Sequence, residues 1–535
     1  MSLQFTHIFG PVLFTIAFLV FGRGIIARSM GRRFRPLPAF ILFLIALAYR
    51  FIVSKETLVE AYSFVHVDSN GFDMLLDRLT LVLMDFGIAM VVDAGYLAYK
   101  KQQAKLFWVP GAIALVISLI IYLLAAVIDR VADGIRSPDA SEQAALLVEL
   151  GSDDHIKELK PILHRYNASY ARAFTGIDPT IDAQLDGADT RNLSQYYAIY
   201  VDEAFVNPLT KELGADRENV DMVQNNSEIT ISDPLPASQI PTADKSFLAN
   251  DPQLSKQWYA NSLDYNAVHQ LLKNLSPQRK AKVAILDTGI DSNHEDLKSI
   301  FDSGDGKKDG HGHGTHCAGL AGAATNNGRG IASLNWEGRF ISLLGYPALN
   351  KDGVGTDQTI AQAIINAANA GADVISMSLG SPGPTPKAQR QAIQYAIKKG
   401  AIVVVSAGNS NRDAKDFSPA GMRGVITVSA VDQFLNKAGF SNTNMSLHMP
   451  LAAPGVDIIS AYPDGKYELK SGTSMATPIV AGILGIMRSF KPNITTKEAY
   501  QILQGTGKTL NDSKKVGKLV QPYPALEILI NQNPL

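Results

Sequence analysis

Four long apolar segments occupy the first quarter of the chain. They run from Phe5 to Gly22, Leu37 to Val53, Leu79 to Tyr99 and Phe107 to Ile128. Each is long enough, or nearly so, to cross a hydrocarbon layer of roughly 30 Å as a helix. A soluble helical bundle would need polar faces, which the first and fourth segments lack. The pattern predicts an all-α transmembrane region of about four helices in residues 1–135.

The charged residues between these segments predict their orientation. The first loop carries Arg23, Arg28, Arg32, Arg33 and Arg35, the third carries Lys100, Lys101 and Lys105, and the second carries Glu56, Glu60, Asp68, Asp73 and Asp77. Basic loops face the cytoplasm. We therefore expect a multi-pass cell-membrane protein with the lipid bilayer as a partner, and with the chain after Asp129 on the non-cytoplasmic side.

Two carboxylates, Asp85 and Asp93, fall inside the third apolar segment. An intramembrane acid suggests a proton or ion path. The alternative is that both are neutral or face neighbouring helices. We favour this alternative because no basic residue lies at the same depth.

Residues 140–232 alternate between strand-like and helix-like patterns. The predicted strands are Ala144–Leu150, Ala168–Phe174, Tyr196–Val201, Val220–Gln224 and Ile229–Ile231; the predicted helices are Asp153–Asn167 and a short one that Asn207-Pro208 caps and Gly214 ends. The order βαββαβ predicts a small α+β, ferredoxin-like domain. The stretch from Ser232 to Asp251 is rich in Pro, Ser and Ala, so residues 233–257 form a predicted linker with a processing site.

From residue 258 to 535, short apolar strands alternate with helices. The strands are Lys282–Leu286, Phe340–Leu344, Asp373–Met377, Ala401–Val405 and Val425–Val428, and the helices include Thr359–Ala370 and Lys387–Lys399. This alternation predicts an α/β domain with a doubly wound parallel sheet, whose chemistry collects at the carboxyl ends of the strands.

Composition adds two exclusions. A formal net charge of -1 gives no reason to expect a nucleic-acid partner. The single cysteine, Cys317, excludes an internal disulfide.

Four polar residues lie at predicted strand ends or helix starts. They are Asp287, His313, Asn409 and Ser474, the last in the stretch Gly472 to Pro478 before an apolar helix. A serine hydroxyl needs an imidazole to take its proton and a carboxylate to orient that imidazole. An Asn amide and a backbone N–H can stabilise an oxyanion. The order Asp, His, Ser excludes the α/β-hydrolase arrangement, which runs Ser, acid, His.

Two other chemistries compete for the same residues. His311, His313 and His316 lie within six residues and could bind a metal, but the glycine spacing and the acid-His-Ser order fit a triad better. A thiolate nucleophile at Cys317 is disfavoured because this residue lies on the helix beyond the base.

The region from about Trp258 to Leu535 resembles the subtilisin-like serine proteases. The matching stretches are Asp287–Asp291, Gly312–Gly319, Ser376–Gly380, Ala407–Asn409, Ala453–Gly455 and Gly472–Pro478. The resemblance implies Asp287 as orienter, His313 as general base and acid, Ser474 as nucleophile and Asn409 as oxyanion donor. It also implies that Ser378, Leu379 and Gly380, with Gly353 and Gly355, bind an extended peptide through its backbone. Phe417 and its neighbours would shape a specificity pocket.

The resemblance further implies a structural calcium ion, although none is required for the chemistry. Asp296 matches a calcium-ligand position, but its companion loop, Thr325–Gly328, is short. The acidic run Asp302, Asp305 and Asp309 does not fit an EF-hand, and a solvated surface loop is the simpler interpretation.

Residues 140–232 resemble, more loosely, the inhibitory propeptide of the same family, with Val220–Ile231 as the strand that blocks the cleft. The sequence thus predicts a membrane-anchored serine endopeptidase that acts on peptides or proteins and is inhibited by its own propeptide-like domain. The alternative is a membrane sensor or transport element with a poorly active subtilase-like binding domain.

Overall fold

The computed structural model describes residues 143–151, 155–185, 192–231, 235–236, 247–512 and 514–532. The four predicted membrane spans, with Asp85 and Asp93, lie outside these residues. Within the described part, one helix, Thr473–Phe490, is long and apolar enough to cross a membrane, and it is wholly buried in the protein.

The chain divides into two compact units, residues 1–136 with 156–167, and residues 137–155 with 168–535. Nearly all of the described helix α1, His155–Arg165, falls in the first unit. Its side chains Ile156, Leu159 and Leu163 are buried, as the spacing of these residues predicts. Pro161 lies inside this helix without ending it.

The second unit contains an eight-stranded sheet. The strands are β7 (Ala281–Asp287), β8 (Phe301–Ser303), β9 (Ile341–Pro347), β11 (Val374–Met377), β13 (Ile402–Ser406), β15 (Ile426–Val431), β16 (Pro450–Pro454) and β19 (Lys518–Leu519). Their order across the sheet is β19-β16-β15-β13-β11-β7-β9-β8. Neighbouring strands are parallel throughout. The predicted parallel α/β domain is therefore confirmed.

Helices surround this sheet. They are α4 (Trp258–Ser262), α5 (Tyr265–Lys273), α6 (His313–Gly322), α7 (Asp357–Asn369), α8 (Lys387–Lys398), α9 (Thr473–Phe490), α10 (Thr496–Thr506) and α11 (Pro522–Gln532). Every residue of α9 is buried. Glycines bring it close to its neighbours: a Cβ at Gly482 would lie 2.4 Å from the carbonyl oxygen of Ala321 in α6. This close packing fixes the middle of α9 against the end of α6.

A second sheet precedes the parallel one. Its strands are β1 (Leu146–Leu150), β2 (Ser169–Arg172), β3 (Tyr196–Tyr200) and β4 (Val220–Asn225), with helices α2 (Pro179–Asp182) and α3 (Glu203–Leu213) between them in the chain. The sheet order is β2-β3-β1-β4, and the paired strands are antiparallel.

Three small sheets complete the description. Strand β5 (Glu228–Thr230) pairs with β10 (Val354–Thr356), β12 (Ser381–Pro382) pairs with β14 (Phe417–Ser418), and β18 (Lys466–Ser471) lies between β17 (Ile458–Tyr462) and β6 (Leu235–Pro236).

Two predicted boundaries are wrong. Helix α3 begins at Glu203 and continues through Pro208, where the proline removes one hydrogen bond of the helix without ending it. The stretch Val220–Ile231 is not one strand. Its first part joins the four-stranded sheet, and Glu228–Thr230 pairs separately with β10.

Candidate active site

Asp287 ends strand β7 at the carboxyl edge of the parallel sheet and is fully buried. Its two oxygens lie 2.8 and 2.9 Å from Nδ1 of His313. Oδ1 also accepts a hydrogen bond of 2.8 Å from the backbone N–H of Thr288. The carboxylate is thus held in place by the backbone while it orients the imidazole.

His313 is the first residue of α6 and is also fully buried. Burial alone would lower the pKa of His313, but the negative charge and hydrogen bond of Asp287 outweigh it and raise that pKa well above 6.5. The pair therefore favours a positively charged imidazole, which is the form that a base takes after accepting a proton.

A carboxylate missed by the sequence analysis organises the loop before His313. Asp309 is buried, whereas a solvated loop was predicted. Its Oδ1 accepts hydrogen bonds from Oγ1 of Thr288 and from the backbone N–H groups of His311 and Gly312. Its Oδ2 accepts from the backbone N–H and the hydroxyl of Thr315. The sequence does contain a signal for this role: Asp309 lies shortly before helix α6, and an aspartate near a helix start commonly accepts hydrogen bonds from the N–H groups of the first turn.

Ser474 is the second residue of α9 and is 6% exposed. Its Oγ donates to the carbonyl oxygen of Ser378 at 3.3 Å. Its own carbonyl oxygen accepts from Oγ of Ser378 at 2.9 Å and from Sγ of Cys317 at 3.4 Å. Cys317 Sγ also lies 3.9 Å from His313 Nδ1, so this thiol contacts both the backbone of Ser474 and the imidazole.

The structure does not pair the serine hydroxyl with the imidazole. Nε2 of His313 has no hydrogen-bond partner among the described residues. The hydroxyl of Ser474 donates to Ser378 instead, and a Ser–His hydrogen bond requires that proton to turn toward the imidazole. Such bonds often tighten only when substrate is bound.

Asn409 is fixed by a residue that the sequence analysis did not single out. Its Oδ1 accepts from the backbone N–H and the hydroxyl of Thr473, at 2.9 and 2.8 Å. The Nδ2 group lies in the same amide plane, on the other side of Cγ. With the N–H groups at the start of α9, it can donate to a developing negative charge near Ser474.

Three of the five predicted peptide-binding residues line one cavity of about 350 Å³, and the other two, Gly353 and Gly355, are not among its lining residues. Ser378, Leu379, Gly380, Asn409, Phe417 and Ser474 line it. Residues Glu228, Thr230 and Ile231 line the same cavity.

The chain itself pairs with both sides of this cleft. Strand β5 runs antiparallel to β10, with Thr230 opposite Val354 and Ile229 opposite Gly355. The N–H of Ile231 donates to the carbonyl oxygen of Gly353 at 3.0 Å. On the other side, Leu235 and Pro236 pair with Ser471 and Lys470, just before Ser474. Strands β5 and β6 thus occupy the positions that β-augmentation would give to a peptide.

Metal binding by the three histidines is not supported by their positions. Nε2 of His316 lies 3.1 and 3.0 Å from the carbonyl oxygens of Ile458 and Glu468, and burial lowers the pKa of His316 to about 3. Within the described ranges, the one group of three possible ligands whose atoms converge is Asp287, His313 and Cys317. Burial raises the pKa of the Cys317 thiol, which favours the neutral form.

Asp296 lies beside a second buried carboxylate, Asp251, which the sequence analysis missed. Asp296 accepts from Nδ2 of Asn327, the N–H of Ile331 and the hydroxyl of Tyr467. Asp251 accepts from the N–H groups of Asn326 and Asn327. Burial and the negative charge of Asp296 raise the pKa of Asp251 to about 6. Two buried acids that both accept hydrogen bonds from residues 326–331 suit a calcium ion in ligand chemistry, so Asp251 and Asp296 are the residues that would hold one.

This fold and site define a class of protein: a parallel α/β domain whose site offers a serine at a helix start and a buried Asp-His pair. The subtilase family model matches residues 278–519. Thermitase from Thermoactinomyces vulgaris is 43% identical over 216 residues, covering 39% of this chain and 75% of thermitase. Subtilisin DY from Bacillus licheniformis is 39% identical over 245 residues, covering 44% of this chain and 87% of that protein.

A solved structure, the epidermin leader peptide processing serine protease from Staphylococcus aureus, shares the fold. It has a TM-score of 0.55 and 21% identity, and the match covers 74% of this chain and 100% of that one. From the sequence relatives, the chain belongs to the subtilase family and is a subtilisin-like serine endopeptidase.

Proposed function

We propose that Ser474 is the nucleophile, His313 the general base and acid, Asp287 the residue that orients His313, and Asn409 an oxyanion donor. The observation that carries this assignment is the buried Asp287–His313 pair beside the start of α9. His313 takes the proton of Ser474 as the serine attacks a peptide carbonyl, and then gives it to the leaving amine. Water hydrolyses the acyl-enzyme by the reverse proton path.

A serine-directed fluorophosphonate tests this assignment. The purified full chain is expected to be labelled on Ser474, and Ser474→Ala is expected to abolish labelling. Ser446→Ala, at an exposed serine outside the cleft, serves as the matched control and should leave labelling unchanged. A folded protein that remains unlabelled, even after limited proteolysis of residues 232–251, would favour a binding module over an enzyme.

The same protein is proposed to be a multi-pass membrane protein with its catalytic domain outside. The support is the four apolar segments and the basic first and third loops of residues 1–135. Protease protection of sealed cells tests the topology. External protease should remove residues 258–535 and spare a membrane-bound fragment, whereas protection of the catalytic domain would contradict the orientation.

Residues 140–232 are further proposed to be a ferredoxin-like inhibitory domain. The sheet order β2-β3-β1-β4 and the pairing of β5 with β10 support this proposal. Cutting between Ser232 and Asp251 would free the cleft and detach the protease from its anchor. Cells carrying the wild type and Ser474→Ala are fractionated to test this. Soluble protease from the wild type alone is expected; full-length, membrane-bound protein in both would refute activation by release.

A further inference from the structure

Asn442 is a fully buried polar residue in the loop between strands β15 and β16. Its backbone carbonyl oxygen accepts hydrogen bonds from Oγ of Ser429 at 2.9 Å and from Oγ of Ser441 at 3.1 Å. Ser429 belongs to β15, and the backbone N–H of its neighbour Ala430 donates to Oγ of Ser441 at 3.0 Å. These contacts fasten the backbone of Asn442 to the parallel sheet.

The side chain of Asn442 extends from the sheet to the loop that follows β13 and carries Asn409. Its Nδ2 donates to the carbonyl oxygen of Ala407 at 2.8 Å. Its Oδ1 accepts from the backbone N–H groups of Ser410 at 3.0 Å and Arg412 at 2.9 Å. One amide group therefore binds the backbone on both sides of Asn409.

Gly408 allows this close approach. Its φ is +99°, and a Cβ there would lie 2.6 Å from Nδ2 of Asn442. Its carbonyl oxygen accepts from the backbone N–H of Asn442 at 2.9 Å. The amide of Asn442 thus packs directly against the backbone of the residue that precedes Asn409.

The side chain of Asn409 has a second anchor on a different element. Thr473, at the start of α9, donates to Oδ1 of Asn409 through its N–H and its hydroxyl, and it accepts from the N–H of Gly408 at 3.2 Å. An oxyanion donor is effective when it already points at the position where charge develops. Anchors on β15 and on α9 together give the Asn409 amide such a fixed direction.

We propose that Asn442 is a positioning residue for the oxyanion hole: by binding the backbone on both sides of Asn409, it fixes the direction of the Asn409 amide. Asn442 is not among the residues that line the cleft cavity. Its effect on the reaction therefore passes through Asn409 and not through contact with substrate. This inference rests on the proposed function, because it requires Asn409 to be an oxyanion donor.

Asn442→Ala tests this role, and Asn444→Ala is its matched control. Asn444 is also fully buried, and its amide, like that of Asn442, makes three hydrogen bonds to backbone groups. Its partners, in β15, in β16 and in the segment before β19, lie outside the loop that carries Asn409. Both substitutions remove comparable buried hydrogen bonds, but the Asn442 substitution alone removes those that hold Asn409.

The measurement is steady-state cleavage of one peptide. The purified full chain is nicked by limited proteolysis of residues 232–251, and complete labelling of Ser474 with a fluorophosphonate counts its active sites. We expect Asn442→Ala to lower kcat per active site by roughly tenfold with KM nearly unchanged, because a misdirected donor loses binding in the transition state. Asn444→Ala should lower Tm as Asn442→Ala does, and it should leave kcat unchanged.

A double-substitution cycle with Asn409→Ala separates positioning from a general structural defect. Asn409→Ala alone should lower kcat by about 10²-fold or more, which is the size of loss known for an oxyanion donor in subtilisin. Adding Asn442→Ala should lower kcat further by less than about twofold, since no donor remains to be positioned. A general structural defect would instead keep its roughly tenfold cost in this background.

Three results would each overturn the proposal while leaving Asn409 as the oxyanion donor. They are an unchanged kcat in Asn442→Ala, an equal loss of kcat in Asn444→Ala, and a full further loss in the Asn409→Ala background. An Asn409→Ala enzyme with the kcat of the wild type would instead refute the proposed function on which the inference depends.

If Asn442→Ala yields no labelled enzyme, Asn442→Asp takes its place. This variant keeps the shape of the side chain and an acceptor for Ser410 and Arg412, but an ionised carboxylate cannot donate to Ala407. We expect the same fall in kcat, and the same disappearance of that fall in the Asn409→Ala background. A kcat equal to that of the wild type would overturn the proposal.

Discussion

Two regions of this protein each bury an acid against a cationic group, and they differ in how the acid is held. In the active site, Asp287 and His313 are both fully buried, and the carboxylate also accepts a backbone N–H. Where strand β1 of the antiparallel sheet meets helix α8, Glu149 is fully buried and lies 2.6 Å from Nζ of Lys387, which is 20% exposed.

The difference lies in what surrounds each carboxylate. Asp287 is part of a network that includes Thr288 and, through it, Asp309. Glu149 pairs with Lys387, a long, flexible side chain 238 residues away in sequence, and Gln391 of the same helix also hydrogen-bonds to the carboxylate. Burial raises the pKa of Glu149 even though Lys387 opposes that shift. The role proposed for the first pair is proton transfer, whereas the second pair connects strand β1 to helix α8.

The largest expected effect is that of Asp287→Asn. Without the carboxylate, His313 loses its orientation, and kcat/KM should fall by about 10⁴-fold, as in other Ser-His-Asp enzymes. In the wild type, kcat/KM should rise with pH as His313 loses its proton at a pKa above 6.5. The variant should show this rise at lower pH, because burial then dominates. A pH–rate profile with the same midpoint in both proteins would contradict the assigned role of Asp287.

Lys387→Met tests the second region. Glu149 would remain buried without its cation, and the free energy of unfolding should fall by about 3 kcal/mol at neutral pH. Because the folded-state pKa of Glu149 is raised, the deficit should shrink as the pH falls and Glu149 becomes protonated. Chemical denaturation at several pH values measures it.

Lys351→Met is the control for this experiment, since Lys351 and Asp352 form an ion pair whose side chains are 76% and 63% exposed. It should change the free energy of unfolding by less than about 0.5 kcal/mol. Equal effects of the two substitutions would show that burial does not distinguish the pairs.

Asp309→Asn sharpens the comparison within the active site. Both oxygens of Asp309 accept N–H or O–H groups, so an amide must direct its own NH₂ at one of these donors. We expect kcat to fall by roughly tenfold with little change in KM. The reason is that the loop before His313 would shift and displace the imidazole. Asp305→Asn, at an exposed aspartate of the same loop, should leave both constants unchanged. Equal loss in the two variants would contradict a positioning role.

The smallest expected effect is that of calcium binding to Asp251 and Asp296. No cationic side chain is among the described hydrogen-bond partners of these two acids. Calcium at ten times its Kd should stabilise the folded protein by about 1.4 kcal/mol. Thermal unfolding with calcium and with a chelator measures the shift, and Asp296→Asn should abolish it. A chelator that leaves Tm unchanged would contradict the calcium prediction.

Sequence patterns predicted the parallel strands well because buried strands such as Ile402–Ser406 are continuous apolar runs. They also placed Asp287 and Ser474 at a strand end and a helix start. They failed at Glu203, where an internal proline was taken as a helix start. They also failed at Asp309, where a run of aspartates suggested a solvent-exposed loop. At Asp309, the hydroxyl of Thr288 and local backbone donors decided the outcome.

The sequence by itself determined the family, the strand and helix order of the catalytic domain and the residues proposed for its chemistry, because these follow from short motifs and from periodicity. The tertiary structure decided which of these residues meet. Asn409 contacts Thr473, 64 positions away. Asp251 binds the loop beside Asp296, 75 positions away. Ile229 and Ile231 lie beside β10, more than 100 positions away. Local pattern does not encode such contacts, since they depend on how whole elements pack.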